Sequence, residues 1–530
     1  MSFENKNFMV VKKLRLPLEE LKTSCTITAD GEIAKVFALS FNSYVDAQEV
    51  TAGALSISGH IDSCMIYSLS DGQIESAFAS CPFSGRLDVP QAKAQDIAQV
   101  SVKVIDHSID NVSGNEAVIS ILLEVDATIV QNIDVRTIDS VDPDVCQKKE
   151  EITIVRFLGQ SSTTALESGT YSSREKVRKV LGSESSVIVK SVETAEGFVS
   201  VSGDVSTKVL FVDENDRFDT VEIFDSFKEE IAIDSVNKDS LAEAIAQVNS
   251  SSVKIEVEDE DKGSKITVQV PFVINAFAYE EVPIMITCDV YSTTCDLEKS
   301  AETFNMTRTR AMENIEGKVS GSLTIDQDSP RVDKIIFTFG TSCQVTGTTL
   351  SEGERTIEGL AKATVVYLND ETSSLSAVEL EVPFAISDKT KSLDSSMIVT
   401  TALLTDVDIS VKKGRGIFFD GKIKAVCCVS DDEIGAVLSS AREGEEYPER
   451  DYAMSLIFAK AGDTLWDVAK SGRVTEAMVI EQNPDVIFPL EEDCDIVLFY
   501  QSKMWLKWII NFKSVKNSSQ RGVFLWNGRL

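Results

Sequence analysis

A chain of 530 residues has room for three or four domains, and with 43% hydrophobic residues each of them can bury a core. A formal charge of −34 excludes the broad basic face that nucleic-acid binding requires, so no nucleic-acid partner is expected. The two histidines, His60 and His107, are too few for most zinc hydrolases and triad enzymes, and neither a metal site nor a cofactor is expected.

The amino terminus, Met1-Ser2-Phe3-Glu4-Asn5-Lys6, is polar and lacks a secretory apolar core, and no run of 18 apolar residues occurs. Cytoplasmic synthesis without a transmembrane segment is the expectation. The ten cysteines are scattered with no C-x-x-C pair and read as reduced, largely buried thiols.

The chain then repeats itself. Ile33-Ala34-Lys35-Val36 leads to Gly59, Tyr67 and Cys81-Pro82-Phe83; Val177-Arg178-Lys179-Val180 leads to Gly203, Phe211 and Phe227; Val332-Asp333-Lys334-Ile335 leads to Gly359, Tyr367 and Val382-Pro383-Phe384. The lysine precedes the glycine by 24, 24 and 25 residues, and the glycine precedes the later phenylalanine by the same three intervals. Two long gaps held constant over three copies identify an internal repeat, which sets the architecture ahead of any short motif. Gly59, Gly203 and Gly359 are expected to be structural positions where another backbone or ring comes close.

Within a repeat, Val201, Gly203, Val205, Thr207, Val209 and Phe211 alternate with Ser202, Asp204, Ser206 and Lys208, the period of a half-buried strand. The acidic turn Asp213–Asp216 closes a hairpin. Second strand pairs are expected at Val253–Val257 with Ile266–Val270, at 407–411 with 422–427, and at 100–104 with 117–125. The alanine- and leucine-rich run 240–246 predicts a short helix. Units are drawn at 9–148, 149–300 and 301–440.

A charged stretch at 441–451 reads as a solvated linker. Beyond it, Ser455-Leu456-Ile457-Phe458 predicts a strand and Gly462-Asp463-Thr464 a cap for a helix through Leu465-Trp466-Asp467-Val468-Ala469. A second helix is expected from Thr475 to Gln482, stopped by Asn483-Pro484, and a closing strand at Asp495–Phe499. The fold class is thus mainly β: three repeated β-rich modules followed by a small βααβ domain at 452–500. A basic tail at 501–530 carries Trp505, Trp508 and Trp526; an interfacial anchor and an unstructured extension are its two readings.

The residues Gly462 to Ala469, with Asn483-Pro484 and Ile487-Phe488-Pro489, resemble a LysM domain. That resemblance implies a shallow groove formed by Gly462, Asp463, Thr464, Leu465, Asn483, Pro484, Ile487, Phe488 and Pro489, which in the family often binds N-acetylglucosamine-containing glycans. Here Glu491, Glu492 and Asp493 replace the usual Gly-Gln continuation and give the groove an acidic rim, suited to a basic protein surface. The repeats resemble the SPOCS module of endospore-forming Firmicutes, through the apolar-x-Lys-apolar opening, the glycine-to-aromatic strand and the Pro-Phe of copies one and three; copy two has Ser226 in place of the proline.

Three such modules followed by LysM resemble spore-coat morphogenetic adaptors. The resemblance implies a non-enzymatic protein made in the mother cell and carried to the forespore surface, where it binds the coat-basement ATPase of stage IV sporulation. Two alternatives stand beside it, a peptidoglycan-binding cell-wall protein and a LysM-targeted cell-wall hydrolase. A hydrolase needs paired carboxylates in a cleft or a Cys-His arrangement. No such cluster, no P-loop and no G-x-S-x-G occurs, so no catalytic residue is assigned.

Overall fold

The computed structural model describes residues 2–325, 331–371, 374–391 and 396–500. Unit one contains β1 (Phe3–Arg15), β2 (Glu19–Thr28), β3 (Ile33–Thr51), β4 (Ala54–Leu69), β5 (Ile74–Asp88), β6 (Ile97–Ser113) and β7 (Glu116–Val141). Unit two contains β8 (Val145–Ser173), β9 (Val177–Ala195), β10 (Phe198–Asp213), β11 (Phe218–Ala232), β12 (Leu241–Val248), β13 (Lys254–Asp259) and β14 (Ser264–Ser292). Unit three contains β15 (Cys295–Thr324), β16 (Val332–Ser351), β17 (Glu354–Asn369), β18 (Leu375–Lys389), β19 (Met397–Lys412) and β20 (Gly416–Glu446). The fold is mainly β, and residues 9, 149 and 301, the expected unit starts, lie inside β1, β8 and β15.

Every unit has one plan. Three strands make an antiparallel meander (β3-β4-β5, β9-β10-β11, β16-β17-β18), and the long last strand pairs with the opening and penultimate strands to form a second sheet. The two sheets close on an apolar core, such as Val201, Phe211, Phe227, Val268 and Phe272 in unit two.

The repeated glycine acquires its reason here. Gly59, Gly203 and Gly359 sit directly opposite Phe83, Phe227 and Phe384 in the meander register. A Cβ on Gly203 would lie 2.1 Å from the carbonyl oxygen of Ile188 and 2.7 Å from the Phe227 ring. On the glycine's other side the first meander strand breaks register in all three copies, at Val45/Ala47, at Val189/Ser191 and at Val345/Gly347. The bulge presses a carbonyl, and the facing strand presses a ring, into the space where a side chain would stand.

The three units also pack on one another. One shared cluster gathers Phe37 and Ile66 from unit one, Leu181 and Leu210 from unit two, and Phe337 and Phe339 from unit three. A second gathers Val10, Val135, Ile154, Ile286, Phe304 and Val437, again from all three units. The opening lysines reach across unit boundaries: Lys35 donates to the Leu375 carbonyl at 3.0 Å, and Lys179 pairs with Glu75. Each unit therefore touches both others, and they ring a common axis.

Four expectations change. Residues 240–246 are strand β12, not helix, paired antiparallel with β14 from Leu241 opposite Tyr279 to Val248 opposite Phe272. A helix preference of a few tenths of a kcal/mol per residue yields to that ladder and its burial. The polar face of β10 is not open to water: Asp204 and Ser206 are buried, because neighbouring units cover it. Residues 441–446, drawn as linker, complete β20 against β15, ending with Glu446 opposite Cys295. Cys25 and Cys81 are joined by a disulfide between β2 and β5, whose facing sheets bring their Cα atoms to 5.6 Å.

After the coil at 447–453 come β21 (Met454–Ala459), α1 (Leu465–Gly472), α2 (Glu476–Gln482) and β22 (Cys494–Phe499), with β21 and β22 antiparallel. No helix among the described residues is long and apolar enough to cross a membrane. The tail 501–530 lies outside the described residues.

Candidate interaction surfaces

Local sequence builds the small domain in short steps. Thr464 caps α1 by accepting from the Asp467 amide, and the Asp467 carboxylate accepts in return from the Thr464 amide at 3.0 Å. The Thr464 hydroxyl, donating to that carboxylate at 2.6 Å, and the Thr464 amide hold the Asp467 carboxyl below the usual carboxylate range. Thr475 caps α2 by accepting from the Met478 amide. Gln482 and Asn483 then dock that helix on β22: the Asn483 amide spans the Val497 amide and carbonyl at 3.1 and 2.9 Å, and Gln482 does the same at Phe499.

The expected groove loops do lie side by side. Gly462, at φ +93°, donates to the Leu490 carbonyl at 2.7 Å, the Leu490 amide donates to the Asp463 carbonyl at 3.0 Å, and the Ala461 amide donates to Asp493 at 2.9 Å. Ile487 stands 81% exposed on the second loop. Pro484 and Pro489 are exposed, and Leu465 and Phe488 are half-buried. Glu491, Glu492 and Asp493 are exposed beside the loops. Asn483 is not available to a groove ligand, since its amide group serves β22 and the Val479 carbonyl.

The small domain is also anchored to the scaffold. Trp466 is buried, packs edge-on against Tyr291 of β14 with ring centroids 4.8 Å apart, and donates its indole N–H to Asp289 at 2.9 Å. Lys470 and Lys299 also pair with Asp289, and the Tyr291 hydroxyl donates to the Val474 carbonyl at 2.7 Å. Partial burial pushes the Asp289 carboxyl up, but the bonds from Lys299, Lys470 and Trp466 outweigh it and hold the group at about 2. The domain thus rests on unit two through α1, with its groove loops turned outward.

A second built feature lies where the three units meet. Glu243 of β12 is fully buried and accepts from Lys13 of unit one at 2.6 Å, from Gln99 of unit one and from Tyr279 of its own unit at 2.6 Å. Cys428 of unit three donates to it at 3.1 Å, and Lys13 also donates to Thr309 of unit three at 2.7 Å. Burial disfavours the Glu243 anion, yet Lys13 and the three hydrogen bonds prevail and its carboxyl lies below the ordinary value. Above this knot is a cavity of about 1170 Å³ lined by edge strands of all three units, with Ser40, Asn42, Ser183, Ser185, Thr338 and Thr400 among its walls. Among the described residues no cluster of three or more His, Cys, Asp or Glu side chains forms a metal-binding group.

Residues 32–112 match the family described as SipL, SPOCS domain. The matched stretch corresponds to the meander of unit one together with β6, and units two and three repeat that topology. The match relates this protein to sporulation. No curated protein matches the chain, and no solved structure does.

Residue reasoning missed Asp289, Tyr291 and Glu243. Glu243 had a signal, a lone acid in the apolar run Leu241–Ala246. Asp289 had none, because Trp466 and Lys470, which join Lys299 of the next strand on it, come from a distant segment.

Proposed function

We propose that this protein is a non-enzymatic adaptor of spore-envelope assembly: three SPOCS-like units form a rigid scaffold that presents a LysM-like domain to a protein partner. The SPOCS match at residues 32–112, on a unit that the fold repeats three times, carries the reading. The partner expected from the resemblance is the coat-basement ATPase of stage IV sporulation, met at the forespore surface after synthesis in the mother cell. Support for a protein rather than a glycan ligand comes from the groove itself. An exposed Ile487 beside Glu491, Glu492 and Asp493 offers an apolar anchor with a charged rim, the anatomy of a protein interface.

The test is Ile487→Asp in the full chain. It is expected to abolish recovery of that ATPase from sporulating cells while leaving the melting curve unchanged, since a side chain 81% exposed contributes little to folding. Tight binding to purified peptidoglycan by the unaltered chain, with no ATPase recovered, would overturn the adaptor reading in favour of cell-wall binding.

A further inference from the structure

The outer face of β10 carries a lysine that the repeat does not require. Gly59, Gly203 and Gly359 and the aromatic residue eight positions on are kept in all three copies, yet the position five after the glycine is Cys64, Lys208 and Thr364. Alternation puts Lys208 on the face opposite Val209 and Phe211, away from the core of its own unit. There it lines the cavity of about 1170 Å³ between the units, together with Glu184, Ser206 and Glu222.

The strand register sets Lys208 between two carboxylates, opposite Glu184 of β9 on one side and Glu222 of β11 on the other. Both are already engaged. Glu184 accepts from the Gly340 amide at 2.5 Å and from the Thr341 hydroxyl at 2.6 Å. Glu222 accepts from the Ser206 hydroxyl at 2.8 Å and from the Asp406 amide at 3.3 Å. The Lys208 nitrogen is buried with no hydrogen-bond partner in the protein. Burial outweighs the two carboxylates and pulls the amine below its ordinary 10.5. A flexible four-carbon stem lets this nitrogen swing into the cavity.

We propose that Lys208 is a covalent ligand site, whose amine condenses reversibly with a small, uncharged, hydroxyl-bearing aldehyde held in the cavity. The nitrogen lone pair forms a C–N bond to the carbonyl carbon, and a proton passes from nitrogen to the carbonyl oxygen to give a carbinolamine. Its hydroxyl then leaves with the nitrogen's second proton as water, and the C=N bond of an imine remains. Glu184 and Glu222 favour the protonated imine, a cation placed between two carboxylates. A buried amine of lowered basicity lining a cavity is the arrangement that suits carbonyl chemistry. The hydroxyls of Ser183, Ser185, Thr338 and Thr400 along the walls suit a ligand with hydroxyls of its own. An anionic ligand is disfavoured, because acidic side chains outnumber basic ones in the lining. This inference does not rest on the adaptor reading, since it involves none of the groove residues.

The experiment treats the folded full chain with glyceraldehyde and cyanoborohydride, which reduces the imine to a stable secondary amine, and locates the modified lysines by peptide mass spectrometry. At pH 7, Lys208 is expected to be labelled on the order of tenfold faster than Lys262, an exposed lysine in the β13–β14 turn. With glyoxylate, an aldehyde that carries a carboxylate, the ratio of Lys208 to Lys262 labelling is expected to fall to about one or below. Glu222→Gln removes one of the flanking charges and is expected to slow labelling of Lys208 several-fold. Lys208→Met should abolish the label in that peptide and keep the melting transition, because it takes away a buried amine without a partner. Labelling of Lys208 no faster than Lys262, or only in urea, would overturn the proposal. A glyoxylate ratio as high as that of glyceraldehyde would overturn the uncharged ligand class.

Discussion

At the scale of single residues, each meander contains a glycine pinned between a bulge carbonyl and a phenylalanine ring. The distances make the cost of a side chain specific. In unit two a Cβ meets the Ile188 carbonyl at 2.1 Å, and the obstacle is backbone that cannot rotate away. Gly203→Ala is therefore expected to lower stability by roughly 1–3 kcal/mol, the range for overpacking, in urea unfolding of the full chain. Gly347 supplies the control: it sits in the unit-three bulge beside the equivalent position, yet an added Cβ meets nothing within 4 Å. Gly347→Ala is expected to stay within about 0.5 kcal/mol of the parent. Equal effects at the two positions would remove the ring-and-carbonyl explanation for the repeated spacing.

At the scale of elements, one carboxylate fastens the small domain to the scaffold. Asp289→Ala removes acceptors for Trp466, Lys470 and Lys299 together and is expected to free α1 from β14, seen as faster proteolytic cleavage in the coil 447–453 while the two parts stay folded. The pH dependence has a definite sign. A carboxyl held at about 2 in the fold, against 3.8 ordinarily, stabilises the contact above its unfolded value. The contact should loosen as pH falls from about 4 to 2, and Asp289→Ala should abolish that dependence.

Elements were legible in sequence wherever one periodic pattern fixed them. Val201 to Phe211, the 253–257 and 266–270 pair, and Thr464 before Leu465 all kept their places because local preference and tertiary burial agree there. The segment 240–246 misled because its alanines suit a helix while β14 needs a strand at that edge. Residues 441–446 misled because charge reads as solvation, yet Arg442 and Glu443 lie opposite Glu298 and Leu297 of β15 in a regular ladder. Of the candidate groove, drawn at 462–465 and 483–489, the structure shows the two segments joined by backbone hydrogen bonds through Gly462, Asp463 and Leu490. The role of Asn483 was not legible in the motif, since its partners on β22 are fixed only by the packed fold.

At the scale of the whole molecule, the three units are joined at a buried ion pair that none of them completes alone. Lys13 comes from unit one, Glu243 and Tyr279 from unit two, and Thr309 and Cys428 from unit three. Removing one charge leaves the other buried without its counter-ion, so Lys13→Met or Glu243→Leu alone is expected to cost about 3–5 kcal/mol and to separate unfolding into more than one transition. The double variant Lys13→Met/Glu243→Leu removes both desolvation penalties and is expected to recover most of the loss. A double variant as unstable as either single one would mean that the pair adds net stability and does more than fix how the units meet. The knot also sets a pH window. Glu243 lies below its ordinary 4.5 in the fold, so its contribution is present above that value and declines as pH falls below it. Burial and the neighbouring Glu243 push the Tyr279 hydroxyl well above its ordinary 10, so its contribution is present below pH 10 and is lost as pH rises further. Cooperative melting of all three units is thus expected between about pH 4.5 and 10, and calorimetry across that range should resolve separate transitions first at its two ends.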